Sequence, residues 1–189
     1  MDAKAMMEQY RDESAGICLR PITDLDTPLI VKWRNNEAVR SKFIYREKFT
    51  EEGHTHWLRS YVDTGKAIQM IVCELEGGRP LGSVFFRDVD RVHSKAEYGI
   101  FLGEDDARGR GIGTAAAKLM LRYAFEEAGF HRVYLRVLAD NVPAIRSYEK
   151  AGFVKEAYLR DSVYVEEQYR DVILMAVLEE EWREENKVG

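Results

Sequence analysis

Ala107-Arg108-Gly109-Arg110-Gly111-Ile112-Gly113-Thr114 is the stretch on which the reading of this chain turns. It lies between an apolar run, Ala96 to Leu102, and an amphipathic stretch that ends at Gly129, so a strand, a glycine loop and a helix follow one another. Glycines let a backbone approach an anion closely, and the free N–H groups at a helix start add the positive end of its dipole. Arg108 and Arg110 can add charge. The alternative is a glycine turn that only lets helix and sheet pack closely. The spacing is not the GxxxxGK[ST] of a P-loop, and the GxGxG arrangement lacks the third glycine of GxGxxG. The chain also lacks the consecutive parallel βαβ units that a dinucleotide fold requires.

Upstream, Ile17 to Arg20 is a short apolar run closed by Pro21, and Leu25 to Asn36 carries Leu29, Ile30 and Trp33 at helical spacing. Thr50 is a candidate N-cap for a second helix, with Glu51 and Glu52 suiting its positive end and Trp57, Leu58 and Tyr61 supplying one face. Ala67 to Leu75 and Leu81 to Phe86, separated by Glu76-Gly77-Gly78, form a hairpin. Downstream, Val133 to Leu138 is a strand, Asn141 caps a helix that stops at Gly152, and Phe153 to Leu159 and Asp171 to Leu178 are strands. A helix-like tail from Glu179 to Asn186 is expected to be solvated. The inventory is α+β of the α/β-sandwich type: a mostly antiparallel mixed sheet, one parallel crossover after the Ala96 strand, and helices on both faces.

At 189 residues the chain is long enough to bury roughly 70% of the surface its unfolded form exposes. A single domain over residues 17–189 is expected, preceded by a poorly ordered tail over residues 1–16, which are mostly polar. Hydrophobic residues make up 46% and charged ones 32%, so the chain is globular rather than disordered. The net charge of -5 argues against a protein that works by neutralising nucleic-acid phosphates. Cys18 and Cys73 are the only cysteines and form no CxxC pair, which points to reduced thiols and a cytoplasmic location. No apolar run of about 18 residues predicts a membrane span, and the first residues lack the apolar core of an export signal.

The second informative segment is Asn141-Val142-Pro143-Ala144-Ile145-Arg146-Ser147-Tyr148-Glu149-Lys150-Ala151-Gly152-Phe153. With Arg108, Gly111 and Gly113, which match Q/R-x-x-G-x-G/A in order, it resembles the paired signature of the GNAT superfamily of N-acetyltransferases. The resemblance runs from about Leu19 to about Leu178. Trp33-Arg34-Asn35 and Val39-Arg40 are similar to the branch that holds ribosomal-protein, spermidine and nucleotide-linked amino-sugar acetyltransferases. It implies acetyl-coenzyme A as co-substrate, no metal, and two neighbouring strands that splay apart to admit the pantetheine arm. On that footing Ile100, Phe101, Leu102, Asn141 and Ser147 contact the arm. Arg108, Gly109, Arg110, Gly111, Ile112, Gly113 and Thr114 hold the pyrophosphate. Phe43, Tyr45, Glu47, His54 and Trp57 lie in the region that forms the acceptor wall in relatives, and Tyr164, Glu166 and Glu167 are further candidates.

The chemistry needs a neutral amine, yet an alkylamine of pKa about 10.4 leaves roughly one molecule in 2,500 neutral at pH 7. Glu97 sits on the strand before the loop, and alternation puts it on one side with Gly99 and Phe101, so it is the candidate base, with water as the alternative. A half-buried glutamate holding a loop or a cross-strand charge is the competing structural reading. Tyr148 matches the family's general acid, and a main-chain N–H near Phe101 can donate to the thioester oxygen. The four histidines form no HExxH and no serine sits in a GxSxG, so metal catalysis and serine hydrolysis lack support. The acceptor is expected to be a small-molecule primary amine such as a polyamine or amino sugar. A protein N-terminus is the alternative, and a non-catalytic acyl-coenzyme A sensor is a further one. The oligomeric state, a homo-oligomer included, is left open.

Overall fold

The runs Ile68–Glu74 and Pro80–Asp90 are apolar through most of their length rather than alternating, as befits strands covered on both faces. The computed structural model describes residues 3–187 and shows how they are covered. The strands are β1 (Arg11–Asp12), β2 (Ile17–Pro21), β3 (Ile68–Glu74), β4 (Pro80–Asp90), β5 (Lys95–Leu102), β6 (Arg132–Leu138), β7 (Val154–Val165) and β8 (Gln168–Leu178). They form one eight-stranded sheet in the order β1-β2-β3-β4-β5-β6-β8-β7. β5 and β6 run parallel, and the other pairings are antiparallel. The helices are α1 (Ala3–Gln9), α2 (Thr27–Asn35), α3 (Glu37–Arg40), α4 (Glu51–Trp57, continued by a π turn over Leu58–Val62), α5 (Ile112–Glu126), α6 (Val142–Lys150) and α7 (Glu179–Asn186).

One face of the sheet is covered by α1, α5 and α6, whose Met6, Met120, Phe125 and Ile145 join Val84, Phe86, Tyr98 and Val133 in the larger core. α5 buries Ala115, Ala116 and Ala117, so its axis lies close to the strands. On the other face Ile30 and Trp33 of α2 and Val39 of α3 pack on Ile71 and Phe101. Trp33 is held by a 2.7 Å bond from Nε1 to Glu104 and lies flat against Gly103, where a Cβ would stand 2.0 Å from its ring. That contact gives the Trp33-Arg34-Asn35 signature a packing role as well as a family one. Thr50 caps α4 as expected, accepting the Gly53 N–H at 3.0 Å.

The segment before β2 departs from the expected tail. α1 and β1 fold onto the sheet, and Met6 and Tyr10, one helical turn apart, are buried against α5. Arg122 of α5 donates to the Gln9 carbonyl and stands 4.7 Å from the Tyr10 ring centroid. Only two apolar side chains and one cation are needed to dock so short a helix, too weak a pattern to stand out in a polar stretch. Met1 and Asp2 lie outside the described residues. Cys18 and Cys73 face each other in register on β2 and β3, both buried as free thiols, and burial raises the Cys73 pKa to about 11.

Candidate active site

The pairing of β5 with β6 stops at Glu97 opposite Tyr134, although β5 runs on to Leu102 and β6 to Leu138. β4 stays paired with β5 as far as Leu102, and β8 with β6 as far as Leu138. The two strands therefore splay, leaving the facing main-chain groups of residues 98–102 without strand partners on that side. A cavity of about 490 Å³ opens there, lined by Ile100, Phe101 and Leu102 on one side and Val137 and Leu138 on the other.

The glycine loop closes one end of this cavity. Gly109 and Gly111 have φ of +74° and +79°, a conformation that favours glycine, and a Cβ at either would meet no atom within 4 Å. Open space at these positions fits a group that comes close to the main chain. Ile112, Gly113 and Thr114 form the first turn of α5, so their N–H groups have no intrahelical acceptor and point out of the helix start. Arg108, Gly109, Gly111, Ile112, Gly113 and Thr114 all line the cavity. Arg110 does not: its guanidinium lies near the Asp106 carbonyl and the Glu74 carboxylate.

α6 supplies the second wall through Asn141, Ser147 and Tyr148. Ser147 and Thr114 share a 2.9 Å hydroxyl contact that ties α6 to α5. Asn141 occupies the N-cap position but makes no side-chain cap bond, contrary to the expected cap, which leaves its amide free toward the cavity. The Tyr148 ring meets Tyr98 edge-on at 6.1 Å and Phe153 at 5.9 Å. Burial raises the Tyr148 pKa to about 12, so the phenol keeps its proton well above neutral pH.

The other end of the cavity is aromatic and cationic. Phe43 and Tyr45, from the loop after α3, line it together with Phe85, Arg87, Glu97 and Arg136. Glu97 is on the same face as Gly99 and Phe101, as alternation requires, and is only 2% exposed. Its carboxylate accepts from Arg87 at 3.2 and 2.9 Å and from Arg136 at 3.1 and 3.1 Å. Burial pushes its pKa up, but the hydrogen bonds from the two guanidinium groups outweigh that and the net shift is downward. A carboxylate whose lone pairs are engaged by two cations is a poor proton acceptor, so this geometry speaks against Glu97 as the base. It instead ties β4, β5 and β6 together at the last rung before the splay.

Three of the expected acceptor residues are not brought to this cavity. His54 is buried against α2, its Nδ1 2.9 Å from the Thr27 hydroxyl, with Trp57 stacked on it at 6.0 Å. Glu47 is exposed on the loop before α4. Glu166 and Glu167 form the β7–β8 turn with positive φ, and Glu166 pairs with Arg46. Arg34, Arg87, Arg136 and Tyr98 were not singled out as site residues. Arg34 lies in the family segment Trp33-Arg34-Asn35, and alternation along β6 puts Arg136 on one face with Tyr134, while nothing local marks Arg87 or Tyr98.

Comparison with known proteins agrees with this geometry. The spermidine N(1)-acetyltransferase of Escherichia coli (strain K12) is 28% identical over 179 residues, covering 91% of each chain. The candidate ribosomal N-acetyltransferase YdaF of Bacillus subtilis (strain 168) is 30% identical over 141 residues, 75% of this chain and 73% of its own. Among solved structures, spermidine N-acetyltransferase from Vibrio cholerae in complex with CoA and spermine superposes with a TM-score of 0.83. It is 22% identical, and the match covers 89% of this chain and 99% of that one. Another from Vibrio cholerae, in complex with manganese ions, has a TM-score of 0.78 at 22% identity, over 92% and 99% of the two chains. Among the described residues no cluster of three or more His, Cys, Asp or Glu side chains could hold a metal, and no helix is long and apolar enough to cross a membrane. A family model described as an acetyltransferase (GNAT) domain matches residues 17–154, and the chain belongs to this family of N-acetyltransferases.

Proposed function

We propose that the chain transfers the acetyl group of acetyl-coenzyme A to the primary amine of a small molecule, the class that includes polyamines and amino sugars. The observation that carries this reading is the splay of β5 from β6, flanked by the glycine loop at one end and Tyr148 on α6. Acetyl-coenzyme A supplies the activated acyl group. Its pyrophosphate meets the N–H groups at the start of α5, and its pantetheine arm adds to the exposed edge of residues 100–102, with Asn141 beside it. This places the thioester where β5 and β6 diverge. A main-chain N–H near Phe101 there donates to the acyl oxygen as negative charge develops.

The amine nitrogen bonds to the acyl carbon as the carbon–sulfur bond breaks. The proton released from nitrogen passes to water, because Glu97 is engaged by Arg87 and Arg136. Tyr148 donates from its hydroxyl to the departing sulfur. Since its pKa is about 12 and a thiol's is near 8.5, complete transfer is uphill, so the hydroxyl acts chiefly by hydrogen bonding to the developing thiolate. Buried free thiols fit a reducing, cytoplasmic setting.

Incubation with labelled acetyl-coenzyme A and a panel of polyamines, amino sugars, amino acids and N-terminal peptides tests the reading. Transfer to one or more small amines is expected. Transfer to peptides alone would assign a protein N-terminus, a reading favoured by the similarity to YdaF. Tight coenzyme A binding with no transfer would make the chain a sensor.

A further inference from the structure

The charged side chains that line the cavity are Lys42, Arg87, Arg108, Arg136, Arg146 and Lys150 against a single carboxylate, Glu97. This is the reverse of the whole chain, whose net charge is -5. Arg108, Arg146 and Lys150 come from the glycine loop and α6, where the phosphates of coenzyme A account for positive charge. At the aromatic end the cofactor offers no such explanation.

Arg34 sharpens the imbalance. It is 6% exposed, and its guanidinium lies 3.5 Å from the centroid of Phe43, a cavity-lining ring, and 4.6 Å from that of Phe49. Its Nε and Nη1 have no hydrogen-bond partner, and Nη2 makes only a 3.4 Å contact with the Tyr45 carbonyl. No carboxylate pairs with it among the described residues, and Arg87 repels it. Arg87 engages Glu97 through Nε and Nη2, leaving Nη1 outside that bond. Three guanidinium groups therefore stand against one carboxylate that is already fully engaged. Buried guanidinium donors left idle are costly, and the ligand that satisfies them is a planar or tetrahedral oxyanion.

We propose that the acceptor amine carries an oxyanion, a carboxylate or a phosphate, which meets Arg87 at the aromatic end of the cavity, with the unpaired charge of Arg34 set beneath the wall against Phe43. This rests on the acetyltransferase reading and narrows it. A polyamine would bring two or more ammonium groups into a site with a surplus of positive charge and no idle carboxylate. The same surplus disfavours the ammonium form of the reacting amine, easing its deprotonation where Glu97 cannot serve as base.

The test uses matched pairs with acetyl-coenzyme A: glucosamine against glucosamine 6-phosphate, cadaverine against lysine, and spermidine by itself. kcat/KM is expected to be at least about tenfold higher for the oxyanionic member of one pair or both, and higher than for spermidine. Calorimetry on coenzyme A-saturated protein reads the same preference without turnover. Spermidine or the uncharged members winning would overturn the oxyanion while leaving acetyl transfer intact. Oxyanionic amines that bind preferentially with no transfer from any amine would sink the acetyltransferase reading and keep the charge assignment. Absence of both binding and transfer for the oxyanionic amines would overturn the proposal. Arg34→Met should reduce the preference several-fold, and Arg34→Lys, which keeps the charge but loses the fork, should reduce it less. A preference unchanged in whichever variant folds would remove Arg34 from the site.

Discussion

The glycine-loop end of the cavity is framed by main chain, whereas its aromatic end is framed by side chains brought in from four separate elements. At the first, positive φ at Gly109 and Gly111, the helix start at Ile112 and the parted edges of β5 and β6 present backbone N–H and carbonyl groups. At the second, Phe43, Tyr45, Arg87, Glu97 and Arg136 meet only because the loop after α3 and the strands β4, β5 and β6 converge. A main-chain site demands small residues at fixed spacing and constrains the sequence locally. A side-chain site can be rebuilt one residue at a time, and so can change its ligand without changing the fold.

Substitution in the loop should have the largest effect. Gly111→Val places a β-branched residue at φ +79° and fills the space through which an anion would reach the helix start. Coenzyme A affinity is expected to fall by about 100-fold or more, corresponding to about 2.7 kcal/mol or more, with the two cores still folded. Calorimetry on the folded variant checks it. Unchanged affinity would mean that the loop is a packing turn, and the contrast between the two ends would dissolve.

Tyr148→Phe comes next and probes the wall between the two ends. The ring's edge contacts with Tyr98 and Phe153 survive, so coenzyme A affinity should hold while kcat drops by about 100-fold, the low end for a general acid. The low end is expected because the thiolate leaves readily and the hydroxyl acts largely by hydrogen bonding. A loss confined to cofactor affinity would move Tyr148 into the binding half.

How much of this was legible in the sequence follows the same division. From β2 onward the strand order and the parallel crossover follow from hydrophobic runs and glycine breaks, and the splay from the family resemblance, whereas α1, β1 and the short α3 leave too weak a pattern to read. β4 and β7 run several residues past their expected ends, because edges and hairpin tips are set by pairing rather than composition. Residues 107–114 stand out as an anion loop by their glycines, and residues 141–148 through the family resemblance. His54 and Trp57 could not be placed: their polar and aromatic character suits an acceptor wall, yet His54 packs against α2 and Trp57 stacks on His54. Glu97 was located correctly, but its register against Arg87 and its approach to Arg136 depend on pairings that no local pattern specifies.

Glu97 stands at the aromatic end, on the last rung before the splay, and its substitution should have the smallest kinetic effect of the three but the clearest structural one. Removing one partner from a buried ion pair costs about 3–5 kcal/mol, and Glu97→Gln, which keeps one oxygen acceptor, should cost toward the lower figure. The pH dependence has a definite sign. Glu97 titrates lower in the folded protein than in the unfolded chain, so its contribution to stability is full above the unfolded carboxylate pKa and is lost as pH falls through the folded one. Thermal melts of the parent should therefore weaken below about pH 4.5, and the Gln variant should lose part of that acid sensitivity. Its kcat should fall only a few-fold, by a factor that does not change between neutral and alkaline pH, because the carboxylate orients Arg87 and Arg136 rather than receiving the amine's proton. A large loss at neutral pH that recovers as the free amine becomes abundant would restore Glu97 as the base. In that case the aromatic end would hold part of the proton route as well as the acceptor.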